Sequence, residues 1–425
     1  TLERSSAASD VYKRQIYGKL FDTQKKMRNR IVFVLVKFLY AFPFIIFFPP
    51  IVKSLYVFLF FLLSVGAWSD IKLNKGFKLL MASCSIFFVY ALSLLYSSEP
   101  LVGIKMLETK LGMIVIPLSF LFFLSDKQVA DRLCYNRLSK NFLYSSALYS
   151  LTLLIYFFIY KDSKYPNIYT SGFFQSAAKN MPLIGEHHIY ISLILAASML
   201  FFLAMIQVLQ RKIKTIEVLA ALLVLIILWA LQSRAILVSS IFVLLFLYWE
   251  RLNKLKIKKI IFMSIIASCI FFLTPQENNR FLELTNYFDY DKQNSASQRL
   301  VIYDCSWELL IKKPIKGVGI GTTQKLLKNC FNKKTGDNSR SSINTHNQYL
   351  DFFITIGPWG LLLFFWLKYE ILNIIKTSIN KRMLLSVFMF FSIALMFENF
   401  FERQTGVIFI YFFTFFLIKR CIEKN

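Results

Sequence analysis

The sequence predicts an all-α, polytopic membrane protein with about twelve transmembrane helices, and three observations support this class. Apolar residues make up 56% of the 425 residues and include 46 phenylalanines, more than one soluble core could bury. Apolar runs of about 18–22 residues recur along the chain, long enough to cross a hydrocarbon layer about 30 Å thick as helices. These runs are continuous, whereas the strands of a membrane barrel alternate apolar and polar residues.

Polar segments between the runs divide the chain into regions. Residues 27–274 are expected to hold helices 1–9, and residues 275–347 a large periplasmic loop between helices 9 and 10. Residues 348–425 are expected to hold helices 10–12 and a short cytoplasmic tail. The twelve expected spans are residues 31–48, 51–68, 77–96, 103–124, 141–160, 187–207, 216–231, 234–250, 257–274, 348–367, 383–398 and 404–419.

The first residues differ in character from the rest of the chain. Thr1 is not a start residue, and SSAASDVYKRQ resembles translated sequencing-adapter read-through. Met27 opens a basic stretch followed by an apolar run, as an initiating residue of a membrane protein would. We therefore expect residues 1–26 to be a non-native or disordered extension.

The formal net charge of +26 is concentrated in short connections between apolar runs. Lysine and arginine in such connections mark the cytoplasmic side and attract anionic lipid, so the charge does not indicate nucleic acid. The pattern predicts that both termini are cytoplasmic. The short external connections then hold little beyond Lys53, Arg234 and Arg403.

The long polar segment contains three features of interest. Apolar residues at helical spacing predict an amphipathic helix over residues 298–313, lying on the membrane surface or capping a cavity. Cys305 and Cys330 share the segment, and an oxidising periplasm would allow them to form a disulfide. The glycine-rich residues 317–323 lack the ending of a phosphate-binding loop and favour a flexible turn.

Several cationic or titratable residues are candidates for chemistry at the outer face. His346 precedes the tenth helix and could act as an acid or base, or simply bond to water or backbone at the interface. Arg234 begins a helix whose free N–H groups could bind an anion, although it could also snorkel to lipid headgroups. Arg299 opens the amphipathic helix, where a solvated arginine is the alternative interpretation.

Two further groups remain open from the residues alone. Arg403 follows Glu398 and Glu402, and a weak exposed ion pair is the simpler interpretation of that cluster. His187 and His188 begin a predicted helix, and their role stays undecided.

The order of these motifs resembles the O-antigen ligase/polymerase family, particularly its ligase branch. The resemblance spans roughly residues 30–420 and is most specific between 230 and 410, in the pairing of GVGIG with HNQYL. The residues that carry it are SRAILVSS, SQRLVIYDCSWELLIKKPIKGVGIG, THNQYLDFFITIGPWGLLLFF and ENFFERQTGVIFIYFF.

The resemblance implies a metal-independent, cofactor-free enzyme of the bacterial inner membrane whose active site faces the periplasm. Such an enzyme moves a glycan from undecaprenyl diphosphate to a hydroxyl, on lipid A–core in a ligase or on another glycan in a polymerase. The resemblance assigns His346 to the acceptor, and it assigns both Arg234 and Arg299 to the diphosphate. Weaker candidates for the site are Lys110, Tyr190 and Arg403.

A transporter is the principal alternative from another class, because twelve helices and intramembrane charges are compatible with one. The sequence shows no half-to-half repeat and no pair of broken helices at the membrane midplane. A membrane scaffold is the third alternative. Turnover of a lipid-linked glycan by the purified protein would separate the enzyme from both.

The predicted topology can be tested with reporter fusions. A reporter fused after Lys256 should indicate a cytoplasmic location, because this residue lies in a strongly basic short connection. A reporter near Lys333 should indicate a periplasmic location. Finding both reporters on the same side of the membrane would contradict the topology.

Overall fold

The computed structural model describes residues 2–68, 74–123, 127–161, 171–248, 295–338, 343–378 and 380–422. Every regular element within these ranges is a helix, which confirms the all-α class. The helices are α1 (Leu2–Ile45), α2 (Pro50–Gly66), α3 (Asn74–Leu92), α4 (Pro100–Lys110), α5 (Gly112–Phe123), α6 (Lys127–Arg132), α7 (Tyr135–Ile159), α8 (Ser171–Asn180), α9 (His188–Leu209), α10 (Thr215–Leu231), α11 (Arg234–Tyr248), α12 (Ser295–Lys312), α13 (Thr322–Thr335), α14 (Gln348–Ile356), α15 (Pro358–Lys376), α16 (Lys381–Phe397) and α17 (Gln404–Ile422).

Five helical segments are long and apolar enough to cross a membrane. They are Gly76–Tyr96, Pro100–Phe123, Tyr135–Ile159, His188–Leu209 and Pro358–Lys376. Four shorter apolar helices accompany them: Pro50–Gly66, Thr215–Leu231, Arg234–Tyr248 and Gln404–Ile418. The total of twelve spans stays a prediction, and the expected span at residues 257–274 lies outside the described residues.

One expected span has the wrong boundaries. Residues 348–367 are not a single helix, because the helix is interrupted at Gly357 and divides into the short α14 and the longer α15. Gly357 has a φ of +73°, a backbone conformation that residues other than glycine rarely adopt. Pro358 then begins α15. The candidate membrane span is therefore shifted towards the C-terminus, to Pro358–Lys376.

The N-terminal segment is helical, and its interpretation as a non-native or disordered extension stays a prediction. Residues 2–26, expected to be non-native or disordered, form the first part of the continuous helix α1 in the structure. The assignment of Met27 as the natural start stays a prediction.

Helix α17 lies at the centre of the fold, and its side chains from Thr405 to Phe413 are all buried. The Phe412 ring stacks on Phe42 of α1, with centroids 3.7 Å apart, and also contacts Phe60 of α2 and Phe120 of α5. One aromatic ring of α17 thus joins three helices that lie far from it in the sequence. Burial of this much aromatic surface fixes the position of the residues immediately before α17.

The described part of the polar segment, residues 295–338 and 343–347, folds onto the ends of the membrane helices. Helix α12 covers the predicted amphipathic region, so a helix there is confirmed. Its apolar face packs with α13 and α14 around Val301, Leu327 and Ile354. A disulfide joins Cys305 on α12 to Cys330 on α13, with the two Cα atoms 5.8 Å apart.

The glycine-rich residues form a packed connection, so the expectation of a flexible turn was wrong. Val318 N and Gly319 N donate hydrogen bonds to the carbonyl oxygens of Ile354 and Thr355 at the end of α14, at 2.8 and 2.9 Å. Gly321 has a φ of +87°, and a Cβ there would lie 2.5 Å from the backbone nitrogen of Gly103. Glycine is needed because backbone meets backbone at this contact.

We expect a thiol reagent to label Cys305 and Cys330 in the folded protein only after reduction, because each is the other's covalent partner. Peptide mapping by mass spectrometry would measure the labelling, with the exposed free thiol of Cys134 as the internal control. Replacing both disulfide cysteines by serine should lower the free energy of unfolding by roughly 3 kcal/mol, the chain-entropy value for a loop of this length. Complete labelling of the pair without a reductant would rule the disulfide out.

Candidate functional site

The connection between α16 and α17, residues 398–403, is called here the α16–α17 corner. Its first residue, Glu398, is 6% exposed and faces the interior. Arg299 Nη2 donates a hydrogen bond to Glu398 Oε1 at 2.9 Å, and His346 Nδ1 lies 3.0 Å from Glu398 Oε2. One buried carboxylate therefore brings together two of the three residues that the sequence assigned to the reaction.

The backbone around His346 is held in an uncommon conformation. His346 has a φ of +48°, in the left-handed region that residues other than glycine seldom adopt. Its backbone nitrogen donates to Asn344 Oδ1 at 3.1 Å, and Asn347 Oδ1 accepts from two backbone nitrogens in the first turn of α14. Such strain persists only where the surroundings enforce it, and it is concentrated at functional sites.

The contact with Glu398 determines which imidazole nitrogen of His346 is available. A carboxylate accepts hydrogen bonds and favours the tautomer that carries its proton on Nδ1. Nε2 is then an acceptor, and the His346 side chain is about one quarter exposed, at 28%. The arrangement can orient a polar ligand or take a proton from it.

Glu402 supports the loop that carries His346. Its two carboxylate oxygens accept hydrogen bonds of 2.6 Å from Asn344 Nδ2 and from Gln324 Nε2 of α13. Because Asn344 in turn accepts from the backbone of His346, Glu402 links the corner, the loop and α13. Thr345 adds a second link, since its hydroxyl donates to Asn399 Oδ1 at 3.0 Å.

A small polar cavity lies behind this loop. It measures about 20 Å³, space for about one water molecule. The lining includes Lys110, Asp351 and Glu402, together with the ring of Tyr90. Tyr90 and Gln348 donate hydrogen bonds to Asp351 Oδ2 at 3.4 and 3.3 Å, so this oxygen of the carboxyl group accepts two hydrogen bonds.

Two of the three weaker candidates contact the α16–α17 corner, and the third, Arg403, is its last residue. Lys110 Nζ donates to the carbonyl oxygen of Phe401 at 2.8 Å, and the Tyr190 hydroxyl donates to that of Asn399 at 3.2 Å. The Arg403 guanidinium lies over the Tyr190 ring, 5.7 Å from its centroid. These contacts hold the corner, while a part for the three residues in donor binding stays a prediction.

Arg403 has a different ionic partner from the one suggested by the sequence. It pairs with Glu186, at 3.3 Å, whereas Glu398 turns inward to Arg299 and His346. The expectation of a local exposed pair was wrong because Arg299 and His346 contact Glu398, while Glu402 accepts from two amide groups.

Glu186 is the centre of a second polar cluster, next to the first. It accepts from Thr405 at 2.5 Å and from Lys53 at 3.3 Å, in addition to Arg403. Burial alone would raise the pKa of Glu186, but the nearby Lys53 charge and the hydrogen bond from Thr405 leave it below its usual range. Burial, and then the charge of Arg403, lowers the pKa of His187 to about 4, so its ring is neutral at pH 7.

Arg234 lies at the first position of α11 and is partly buried. The hydroxyl of the preceding Ser233 is 2.7 Å from that of Ser192, one turn into α9. Arg234 is therefore placed beside the end of α9 that also carries His187 and Tyr190. Its meeting with His346 in one cavity stays a prediction.

Sequence reasoning missed two carboxylates that organise these clusters, Glu398 and Glu186. Glu398 was expected at the end of the span 383–398 as a partner of Arg403, and Glu186 in the external connection before residue 187. A carboxylate at the edge of a membrane helix is costly unless it is paired, and this cost is the signal that could have identified both.

A comparison with protein families found one matching segment. The family model described as O-antigen ligase matches residues 219–365, a range that contains Arg234, Arg299 and His346. The α16–α17 corner with Glu398 lies outside the matched range. No curated protein matches the chain. As the sequence resemblance predicted, residues 219–365 of this membrane protein are similar to the O-antigen ligase family.

Proposed function

We propose that this protein is a glycan transferase of the bacterial inner membrane that works at the periplasmic face. Its donor is a glycan on undecaprenyl diphosphate, and its acceptor is a hydroxyl of lipid A–core. The observation that supports this proposal best is the Arg299–Glu398–His346 cluster, in which a cation and a potential base share one buried carboxylate. The family match gives the reaction type, an O-antigen ligase or polymerase type of transfer.

His346 is the proposed base. The acceptor hydroxyl oxygen attacks the anomeric carbon of the donor, and its proton passes to Nε2 of His346. The bond between the anomeric carbon and the phosphate oxygen breaks, and undecaprenyl diphosphate leaves with the electron pair. Glu398 keeps the other nitrogen protonated and stabilises the imidazolium that forms.

Arg299 is the proposed partner of the diphosphate. A guanidinium has five N–H donors, and the contact with Glu398 leaves others for phosphate oxygens. Arginine matches phosphate geometry with two parallel hydrogen bonds, which become stronger as charge develops on the leaving group. Arg234, at a helix start whose N–H groups favour anions, is the proposed second contact.

The function can be tested with purified protein and a lipid-linked glycan donor. With lipid A–core present, a ligase should produce glycosylated lipid A–core and free undecaprenyl diphosphate. A polymerase should lengthen the glycan with donor alone, while a transporter or a scaffold should leave the donor intact. An intact donor in both reactions would contradict the proposal.

His346→Ala should lower the transfer rate by about 10²–10⁴-fold, the usual effect of losing a general base. Donor binding should stay close to that of the unmodified protein, because the diphosphate is held by other residues. Single-turnover transfer and donor binding would be measured separately on the same sample. A fully active His346→Ala protein would defeat the mechanism.

Glu398→Gln should also slow transfer, because the amide keeps the shape of the side chain but loses the charge that orients His346 and Arg299. The matched control is Glu308→Gln, the same chemical change at an exposed carboxylate that pairs with Lys334. The control should transfer glycan normally. Equal activity of the two variants would remove Glu398 from the mechanism.

Arg299→Ala and Arg234→Ala should weaken donor binding as well as transfer, since the diphosphate is charged before the transition state. Lysine at either position should restore only part of the activity, because it keeps the charge and loses the planar fork. Titration with the lipid-linked donor would give the change in Kd. Unchanged donor affinity in both alanine variants would contradict the assignment.

A further inference from the structure

A basic cleft lies between α1, α6 and α7, away from the candidate site. It is an open cavity of about 770 Å³ lined by Lys37, Arg132 and Arg137 together with apolar side chains of α1. We call it the α1–α7 cleft. Its cations come from two parts of the chain about a hundred residues apart, so the fold brings them together.

The cations of the cleft are directed by aromatic contacts. Lys37 Nζ lies 4.3 Å from the centroid of the Phe33 ring, and the Arg137 guanidinium lies 5.0 Å from that of Tyr40. The Tyr40 hydroxyl donates to the carbonyl oxygen of Arg132 at 3.3 Å and accepts from Cys134 N at 2.6 Å. Tyr40 thus fastens the connection that carries Arg132 onto α1.

No carboxylate lines the cleft among the described residues, and none there forms an ion pair with its three cations. This differs from the candidate site, where Arg299 and Arg403 each contact a glutamate. Clustered like charges destabilise a fold unless an anion or solvent screens them. Among the described residues, the cleft therefore has the charge of an anion site and no carboxylate that fills it.

The cleft lies at a membrane boundary. It is located at the start of α7, between the candidate spans Pro100–Phe123 and Tyr135–Ile159. The other end of α7 contacts the segment before Glu186, through the hydrogen bond from Tyr156 to Asn180 O. At 1.5 Å per residue, the two ends of α7 are separated by roughly a bilayer core of about 30 Å. The cleft and the candidate site thus face opposite leaflets.

We propose that the α1–α7 cleft binds one anionic phospholipid of the leaflet opposite the candidate site. The phosphate contacts Lys37, Arg132 and Arg137, and the acyl chains lie along the exposed ring of Phe44, further along α1. A lipid fits better than free phosphate because most of the cleft wall is apolar and opens where a bilayer would be. Basic pockets between membrane helices recognise acidic headgroups in this way.

Native mass spectrometry of the full chain in a neutral detergent would test the site. Phosphatidylglycerol and phosphatidylcholine with the same acyl chains are titrated in parallel. The unmodified protein should retain phosphatidylglycerol in preference to phosphatidylcholine, and inorganic phosphate at equal concentration should not displace it. The variant K37Q/R132Q/R137Q removes three cations near the membrane surface. Its affinity for the first phosphatidylglycerol should fall on the order of 10²-fold.

The matched control is K312Q/K328Q/K333Q, which removes three positive charges from the polar segment. It should bind phosphatidylglycerol like the unmodified protein. If the cleft variant does not fold, the single variants R132Q and R137Q, both at exposed positions, should each weaken binding by about fivefold. Arginine-to-lysine changes at these two positions should keep most of the affinity. Equal affinity of the cleft and control variants, or no preference between the two lipids, would overturn the proposal.

Discussion

The buried carboxylate of Glu398 is the interaction on which the arrangement of the candidate site depends. A carboxylate taken out of water costs several kcal/mol unless it is paired, and removal of one partner leaves the charge uncompensated. Its partners are 99 and 52 residues away in the sequence, on α12 and before α14. The ion pair and the hydrogen bond therefore fix the polar segment to the membrane helices, and they fix it through the two side chains proposed to do the chemistry.

The corner that carries Glu398 is itself held from the core. Phe412 and its neighbours on α17 are locked among α1, α2 and α5, so the start of α17 has little freedom. At Gly406 a Cβ would lie 1.9 Å from the carbonyl oxygen of Phe400, which shows how closely the corner folds back on the helix. Lys110 and Tyr190 then donate to the carbonyl groups of the corner from two further helices. Aromatic packing thus supplies the rigidity that a preorganised site requires.

The sequence predicts the elements of this structure better than their contacts. Long apolar runs give the helices directly, because the periodicity and the length are local properties. The helix break at Gly357 was missed although Gly and Pro stand side by side, because the apolar run continues through them. The pairing of Glu398 with Arg299 could not be derived, since the nearer cation is Arg403 and only the tertiary fold decides between them. The packing of the glycine-rich connection likewise depends on backbone atoms of α4 and of residues 93–99 before it.

The two membrane boundaries use their cations differently, and the difference matches the two proposed ligands. At the candidate site Arg299 already shares its charge with Glu398, so a diphosphate gains less from it than from an unpaired cation. A catalyst benefits from this weaker attraction, because a diphosphate product that is bound as tightly as the transition state would not leave. In the α1–α7 cleft the described cations have no carboxylate partner, which suits a lipid that stays bound. In the two proposals, a glutamate beside the cation accompanies the ligand that is released, and its absence accompanies the ligand that is retained.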